Sequence, residues 1–388
     1  MAKPAPLLFV SHDATRTGAP MALLHFLRWL RDETNEQFSI LLGRGGDLAS
    51  EFAAVGPTTT LDDERGRLAR LLDPRAQTAI SRASSAMALR LLARRYNDVG
   101  LVYSNTLQNG PILQALQGRA PVVSHVHELD WWLTYMTDPI GLATSKRTTT
   151  HYVACSMATL NSLVDVQGID RSDITLCHEY VPAGVGLSEQ ARRRARLALG
   201  IPTEAFLVGG AGTLDWRKGP DLFVQLAAVL RRAALSVDVR LIWVGGDQDG
   251  PSAGSLRHDA TLSGVGDLIT WTGAIRDPLS VFAALDVFAL TSREDPFPLV
   301  MLEAATLDVP VLCFEGGGGA PEFVKDDAGV VVPYLDVMAM SRAAAALSAD
   351  EPRRRKFGAT AGERARTQHS VSEAAPILLD VINRFRRG

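Results

Sequence analysis

Asp295 and Glu303 are two carboxylates separated by seven residues in the stretch TSREDPFPLVMLEAATLDVP, which covers residues 291–310. Ionised carboxylates accept hydrogen bonds from hydroxyl groups, in which sugars are rich. If a negative group binds between these two acids, the pattern indicates a ligand in which a phosphate is flanked by sugars. An acidic turn that only caps a helix, followed by a solvated glutamate, is the alternative interpretation.

The residues around this pair predict where the negative group binds. Apolar, strand-like runs lie on both sides, at 285–290 and 309–314, so the segment between them should be a turn and a short helix. Pro298 suits the first helical position because it lacks an N–H that would be unpaired there, and the helix should continue over Leu299–Leu307. The first-turn amides of Leu299 and Val300 would then be free to bind an anion, which the helix dipole also favours.

A second anion site is indicated by GGAGTLDWRKG at 209–219, directly after a strand-like run. Arg217 and Lys218 stand at the head of the next helical segment, where positive side chains oppose the helix dipole unless an anion is bound. A solvated basic pair is the alternative. Gly210 and Gly212 begin a dinucleotide-binding pattern, but Asp215 occupies its third glycine position, so that pattern is incomplete.

Two histidines in PVVSHVHELD, residues 121–130, mark a third candidate site. His125 and His127 stand at the carboxyl end of a predicted strand, where open α/β sheets bind their ligands. Because they are two residues apart they share one face of the strand, which also suits a metal, but no cysteine or third histidine lies nearby to strengthen a zinc site. A buried structural histidine is the alternative. Glu128 and Asn105 are further polar candidates at predicted strand ends.

The first predicted strand ends in SHDATRTGAP, residues 11–20. Gly18 permits a close backbone approach in this predicted loop, although glycine is also an ordinary turn residue. Arg16 is a candidate contact for a phosphate or an acceptor. A helix should follow over Met21–Arg31.

Apolar, strand-like runs alternate with amphipathic helical stretches twice along the chain. Continuous apolar runs of this kind belong in parallel sheets that are covered on both faces. We therefore predict two doubly wound, Rossmann-like α/β domains over residues 1–185 and 186–369, and a terminal helix over 370–388 that crosses back to the first domain. The predicted strands are Leu7–Val10, Phe38–Leu42, Leu101–Ser104, Val122–Val126 and His151–Cys155, then Phe206–Gly209, Val239–Val244, Leu268–Thr272, Asp286–Leu290, Val309–Phe314 and Val330–Val332.

Length and composition set broad limits. The 388 residues exceed the usual size of one hydrophobic core, and 46% of them are hydrophobic, which is enough for two. The net charge of −3 gives no general attraction to nucleic acid. Three cysteines without metal-ligand spacing fit a reduced, cytoplasmic protein. No apolar stretch approaches the length of a membrane span, so we expect any membrane contact to be peripheral.

One segment carries a concentration of positive charge. Residues 65–95 hold eight arginines among leucines and alanines. Such a segment is either an ordinary surface helix pair or a basic amphipathic face for anionic lipid. The second interpretation predicts contact with the inner face of the membrane.

The segment 291–310 resembles the acid-x7-acid signature of the retaining, nucleotide-sugar-dependent glycosyltransferases of family four. Asp295 and Glu303 fall on its two acidic positions, the first of which is normally Glu, and Pro298 stands where Gly is usual. The resemblance implies the GT-B fold, with two Rossmann-like domains facing across a cleft that holds the donor. It also implies that the first acid contacts the donor sugar and the second contacts the ribose.

Further motifs are similar to those of the same family. Lys218-Gly219 matches a Lys-Gly pair whose lysine holds the diphosphate, although Gly212 stands where an Arg is usual. His127 matches a strand-end histidine that reaches the donor sugar. The motifs and the resemblance together give catalytic candidates His127, Asp295 and Lys218; donor-binding candidates Gly18, Arg217, Lys218, Asp295, Leu299, Val300 and Glu303; and acceptor-binding candidates Arg16, Asn105 and Glu128.

The resemblance implies transfer of a sugar, with retained configuration, from a nucleotide-diphosphate sugar to a hydroxyl of a glycan or lipid-linked acceptor, as in cell-surface polysaccharide synthesis. It implies no cofactor and no metal. Asp247-Gln248-Asp249 spells the D-x-D metal motif of another glycosyltransferase fold, but we interpret it as a loop. A nicotinamide-dependent oxidoreductase and a non-catalytic sugar-nucleotide-binding protein remain as alternatives.

Overall fold

The computed structural model describes residues 5–63, 87–184, 186–233 and 235–387. The chain divides into two compact units. The N-terminal unit comprises Met1–Glu179 and Val371–Gly388, and the C-terminal unit comprises Tyr180–Ser370.

The N-terminal unit is built on a sheet of seven parallel strands in the order β3-β2-β1-β4-β5-β6-β7. The central strands are fully buried, which explains why their sequences are continuous apolar runs rather than alternating ones. The strands are β1 Leu7–Ser11, β2 Phe38–Leu42, β3 Thr58–Thr60, β4 Leu101–Ser104, β5 Val122–Val126, β6 His151–Ala154 and β7 Ile174–Leu176.

Helices flank this sheet, and residues 87–95 are also helical. The terminal helix belongs to this unit: Arg386, just beyond it, donates to the Glu36 carboxylate at 2.6 Å, and Phe385 stacks on His151 with ring centroids 4.6 Å apart. The helices are α1 Gly18–Glu33, α2 Ala49–Val55, α3 Gly110–Leu116, α4 Pro139–Thr148 and α5 Met157–Asp165, with α14 Val371–Phe385 from the end of the chain.

The C-terminal unit has a sheet of six parallel strands in the order β10-β9-β8-β11-β12-β13. Its strands are β8 Phe206–Ala211, β9 Val239–Val244, β10 Ile269–Trp271, β11 Val287–Leu290, β12 Val311–Phe314 and β13 Gly329–Val332. Its helices are α6 Glu189–Ala198, α7 Pro220–Arg232, α8 Pro251–Leu262, α9 Leu279–Phe282, α10 Leu299–Thr306, α11 Ala320–Val324, α12 Val337–Ala349 and α13 Glu351–Gln368.

The predicted α/β class is confirmed, and every predicted strand is present, four with the predicted ends and the others with ends shifted by one or two residues. The sequence analysis missed β3 and β7, because each has only three residues and no clear apolar run. The first helix begins at Gly18 and not at Met21. Pro20 is compatible with this earlier start, since the N–H that it lacks would have no partner in the first helical turn.

Strand order reverses once in each sheet. The reversal lies between β1 and β4 in the N-terminal unit and between β8 and β11 in the C-terminal unit. Loops diverge at such a point and leave space for a ligand at the carboxyl ends of the strands. Within the described chain, no helix combines the length and the apolar character needed to cross a bilayer.

Candidate functional site

Two loops meet at the reversal point of the C-terminal sheet, one from β8 to α7 and one from β11 to α10. Gly219 has a φ of 67°, and a Cβ atom added there would lie 2.1 Å from the Thr291 carbonyl oxygen. The Thr291 hydroxyl in turn donates to the Gly219 carbonyl at 2.9 Å. A residue without a side chain at position 219 is therefore what allows the two loops to lock together.

The locked loops bring together two residues that the sequence singled out. Lys218 Nζ lies 2.5 Å from Asp295 Oδ2, and the two side chains are only 15% and 6% exposed. Burial lowers the pKa of Lys218 from its ordinary value, while the Asp295 carboxylate opposes that shift. The result is a positive charge held in one place with little water around it.

The glycine run after β12 holds the backbone of Asp295. The Asp295 N–H donates to the Gly317 carbonyl at 2.8 Å, and the Gly319 N–H donates to the Asp295 carbonyl at 3.2 Å. Gly318 has a φ of 123°, and a Cβ atom added there would lie 1.8 Å from the backbone carbonyl oxygen of Asp295. The four consecutive glycines at 316–319 thus allow a close backbone approach to Asp295.

Arg217 lies beside Lys218 and is partly exposed. Its guanidinium donates to the Glu294 carbonyl at 3.3 Å, and its own carbonyl accepts from the Arg293 N–H at 2.7 Å. These contacts keep Arg217 on the same two loops as the Lys218–Asp295 pair.

The start of α10 differs slightly from the prediction. Pro298 precedes the helix in extended conformation instead of occupying its first position, and the helix ends at Thr306, one residue earlier than expected. The Pro298 carbonyl accepts from the N–H groups of both Met301 and Leu302. Among the described residues, the N–H groups of Leu299 and Val300 have no acceptor, so both can donate to a ligand.

Glu303 lies one helical turn further along α10 and is half-buried. Burial, with a smaller contribution from the charge of Asp277, raises the pKa of Glu303 to about 7. No cation or hydrogen-bond donor of the described residues contacts its carboxylate. A buried acid without a partner in the protein is suited to accept hydrogen bonds from a ligand.

In the N-terminal unit, side chains at the ends of β4, β5 and β7 converge on His127. Its Nδ1 is hydrogen-bonded to Glu179 Oε1, and its Nε2 lies 3.2 Å from Asn105 Oδ1. The Asn105 amide nitrogen donates to the Ala19 carbonyl at 2.7 Å. We call His125, His127, Glu179 and Asn105 the histidine cluster.

Glu128 is buried beside this cluster. It accepts hydrogen bonds from the Thr106 hydroxyl, from the Gln108 amide at 3.3 Å and from the His127 N–H at 3.0 Å. Both of its carboxylate oxygens are therefore engaged within the unit, and its predicted contact with an acceptor stays a prediction.

Sequence reasoning missed Glu179. It is 52 positions from His127, and the only indication is that a carboxylate follows a short strand. His125, His127 and Glu179 have donor atoms within 4.8 Å of one another, the one group of three in the described chain close enough for a metal. We assign no metal there, because the donor atoms of His127 and Glu179 are hydrogen-bonded directly to each other.

Arg16 and Gly18 have environments that the sequence did not indicate. The Arg16 guanidinium is paired with Glu51, which also accepts from Arg28 at 2.6 Å. Gly18 opens α1 instead of lying in a loop, and no atom lies within 4 Å of an added Cβ. The backbone at Gly18 is thus uncrowded by the unit's own atoms.

Two weaker sequence signals concern Asp247, Asp249 and the arginine-rich segment. Asp247 and Asp249 are exposed, and the Asp249 N–H donates to the Asp247 carboxylate at 3.0 Å in a local turn. Of the arginine-rich segment, only Arg90, Arg94 and Arg95 fall in the described residues, where they are exposed. Arg65, Arg67, Arg70, Arg75 and Arg82 lie outside the described residues.

Comparison with known sequences finds a family match within the C-terminal unit. Residues 191–364 match the family described as glycosyl transferases group 1. The chain is 30% identical over 175 residues to a D-inositol 3-phosphate glycosyltransferase of Corynebacterium urealyticum, covering 43% of this chain and 40% of that protein. It is 32% identical over 241 residues to the enzyme of the same name from Xylanimonas cellulosilytica, covering 59% and 55%. The chain thus spans about half the length of these relatives.

Comparison with solved structures covers both units. Anabaena Alr3699/HepE in complex with UDP-glucose matches with a TM-score of 0.81 at 19% identity, covering 98% of this chain and 100% of that one. Sucrose-phosphate synthase from Thermosynechococcus elongatus matches with a TM-score of 0.79 at 19% identity, covering 98% of each chain. The chain has the GT-B fold that its sequence resemblance implied, and its residues 191–364 match the model of the glycosyl transferases group 1 family.

Proposed function

We propose that this protein is a glycosyltransferase that binds a nucleotide-diphosphate sugar on its C-terminal unit and transfers the sugar to an acceptor hydroxyl. The observation that carries this proposal is the buried Lys218–Asp295 pair at the reversal point of the C-terminal sheet. It combines a fixed positive charge for a diphosphate with a carboxylate for a sugar hydroxyl. The family match over residues 191–364 supports the same assignment.

The chemistry follows from where negative charge develops. When the bond between the sugar C1 and the diphosphate oxygen breaks, the leaving group gains charge. Lys218, Arg217 and the free amides of Leu299 and Val300 are donors already in place to stabilise it. The unpartnered Glu303 accepts hydrogen bonds from the ribose hydroxyls of the nucleotide.

We propose that the reaction retains configuration at C1 without a protein nucleophile. The Asp295 carboxylate is engaged by Lys218 at 2.5 Å and by the Ser292 hydroxyl at 3.4 Å, which makes it a poor nucleophile. The acceptor oxygen would bond to C1 on the face that the diphosphate leaves, and the acceptor proton would pass to the departing phosphate. His127 would contact the donor sugar.

The second part of the proposal concerns the acceptor. We propose a glycan or a lipid-linked acceptor, used in the synthesis of cell-surface polysaccharide, with Arg16, Asn105 and Glu128 on the acceptor side. A lipid-linked acceptor would place the protein at the inner face of a membrane. The exposed Arg90, Arg94 and Arg95 would then contact anionic lipid.

Thermal unfolding of the purified protein with a panel of ligands tests the donor assignment. The panel contains UDP, GDP and ADP, their glucose conjugates, NAD and NADP, and uridine as a control without phosphate. A ligand at 100 times its Kd adds about 2.7 kcal/mol of stability, which raises the unfolding midpoint by several degrees. We expect stabilisation by one nucleoside diphosphate and its sugar, and none by uridine.

Two results would contradict the proposal. Stabilisation by NAD or NADP alone would indicate an oxidoreductase. Stabilisation by a nucleotide sugar with no release of its nucleoside diphosphate, with or without added sugar acceptors, would indicate a binding protein without turnover.

A further inference from the structure

The protonation state of His127 follows from the groups that face its ring. Asn105 Nδ2 donates to the Ala19 carbonyl at 2.7 Å, and a carbonyl oxygen only accepts. That contact fixes the orientation of the Asn105 amide, so its oxygen is the atom 3.2 Å from His127 Nε2. An oxygen acceptor at this position requires a proton on Nε2.

The other ring nitrogen faces a second acceptor. His127 Nδ1 is hydrogen-bonded to Glu179 Oε1, and an ionised carboxylate has no proton to donate. The two side chains are only 6% and 4% exposed, so water does not replace this contact. With Glu179 ionised, both ring nitrogens face acceptors, and the doubly protonated imidazolium satisfies both.

The charges around the ring agree with this assignment. Burial alone would lower the pKa of His127, but the charge and hydrogen bond of Glu179, and the charge of Glu128, raise it above its ordinary value. The His125 ring centroid lies 4.1 Å from that of His127, with the ring planes tilted by 44°. His125 stays neutral, since burial lowers its pKa well below the usual range. Behind them, burial raises the pKa of Tyr103 well above its ordinary value and that of Cys177 to about 12, so both are neutral.

The two hydrogen bonds of the ring differ in strength. The contact with Glu179 joins opposite charges in a buried setting, whereas the contact with Asn105 is longer and involves a neutral amide oxygen. A ligand oxygen can therefore replace Asn105 more easily than Glu179. Nε2–H is the donor that the cluster makes available.

We propose that Glu179 is a positioning residue that keeps His127 doubly protonated and directs its Nε2–H to an oxygen of the bound donor. This inference rests on the proposed function, in which His127 contacts the donor sugar. A cationic donor at that place would strengthen its hydrogen bond as negative charge develops in the reaction.

The proposal predicts a specific pH dependence. Turnover should fall as pH rises through the pKa of His127, because the imidazolium is then lost. Glu179→Gln keeps an acceptor oxygen and nearly the same volume but removes the charge. The fall should therefore move to lower pH by about 1–3 units, the effect of one neighbouring opposite charge.

Nuclear magnetic resonance of ring-labelled histidine measures the protonation of His127 without any ligand. We expect His127 in the unmodified protein to carry protons on both ring nitrogens above pH 6.5, the ordinary midpoint, and to titrate at lower pH in Glu179→Gln. Tyr103→Phe is the matched control, because it removes a buried hydroxyl 2.7 Å from the neighbouring His125 and leaves Glu179 in place. Glu179→Asp, which restores the charge, should recover part of the shift.

Four outcomes would overturn the proposal. One is a His127 midpoint below 6.5 in the unmodified protein, a result that needs no variant to fold. A second is the same midpoint in Glu179→Gln, and a third is one equivalent of transition metal in the purified protein. The fourth is a His127 midpoint that shifts in Glu179→Gln while the pH profile of UDP-glucose turnover stays the same. Failure of the protein to bind any nucleotide sugar would instead contradict the proposed function, and the resonance titration would be unaffected by it.

Discussion

In the described part of each unit, a basic side chain is buried against a carboxylate at the carboxyl end of the sheet, and we expect the two pairs to behave differently with pH. Lys218 faces Asp295 in the C-terminal unit, and His127 faces Glu179 in the N-terminal unit. The ordinary pKa of lysine is about 10.4 and that of histidine about 6.5. Burial can therefore lower the pKa of Lys218 and leave its charge intact, whereas the charge of His127 depends on its partners. We therefore expect the charge of Lys218 to change less with pH than that of His127.

The backbones around the two pairs also differ. The Asp295 backbone contacts a run of glycines. A Cβ atom added at Gly318 would lie 1.8 Å from the carbonyl oxygen of Asp295. The Glu179 carboxylate is hydrogen-bonded to the His127 ring. We therefore expect the two pairs to respond differently to mutation.

The largest effect is expected from Lys218→Ala. Removing one charged donor to a developing oxyanion costs about 10²–10³ in turnover, and Lys218→Arg should retain more activity because it keeps the charge. Steady-state release of UDP from UDP-glucose is the measurement. Lys146→Ala is the matched control, since Lys146 donates to the Gln167 carbonyl at 2.6 Å in the N-terminal unit. A loss no greater than that of the control would remove the diphosphate role from Lys218.

A smaller effect is expected from Glu303→Gln, and it should have opposite signs on binding and on stability. A hydrogen bond to a charged group contributes roughly 1.5–3 kcal/mol, so donor affinity should fall about tenfold or more. Folding raises the pKa of Glu303 from 4.5 to about 7, so the free energy of unfolding falls as pH rises through that interval. Glutamine lacks this cost, and the unliganded variant should be more stable than the unmodified protein at pH 8.

Calorimetry of donor binding and urea unfolding at pH 8 measure these two effects. Glu363→Gln, an exposed glutamate on α13, is the control and should change neither. Unchanged donor affinity in Glu303→Gln would remove the ribose assignment. Lower stability of that variant at pH 8 would mean that Glu303 has a partner in the folded protein.

The two pairs also show what the sequence could predict. The α/β class followed from short apolar runs in the sequence. A parallel strand that is buried on both faces is apolar at successive positions, so the strand's own sequence shows it. Lys218, Asp295 and the first-turn amides of α10 stand directly beside strands or helix starts. Local rules for turns and helix ends were enough to single them out.

Glu179 could not be found in that way. It meets His127 across 52 positions, and no periodic pattern connects the two residues. The pairing of Arg16 with Glu51 across 35 positions escaped prediction for the same reason. The effect of Asp277 on Glu303 is likewise a property of packing between segments. The sequence predicts elements and their ends, while the charge partners that tune a site arise from tertiary contacts.

The smallest effect is expected from removing metal ions. This prediction tests whether the Lys218–Asp295 pair can stabilise the negative charge of the diphosphate without a metal. Arg257 donates at 2.6 Å to Gln248, the residue between Asp247 and Asp249, and so brings a positive charge to the loop that a divalent ion would need. Lys218 and the amides of α10 are donors that need no ion. EDTA should therefore leave turnover nearly unchanged, and the double variant Asp247→Ala with Asp249→Ala should lose far less activity than Lys218→Ala. If EDTA abolishes turnover and added Mg²⁺ or Mn²⁺ restores it, the charge on the diphosphate is supplied by a metal, and Lys218 is not sufficient for it.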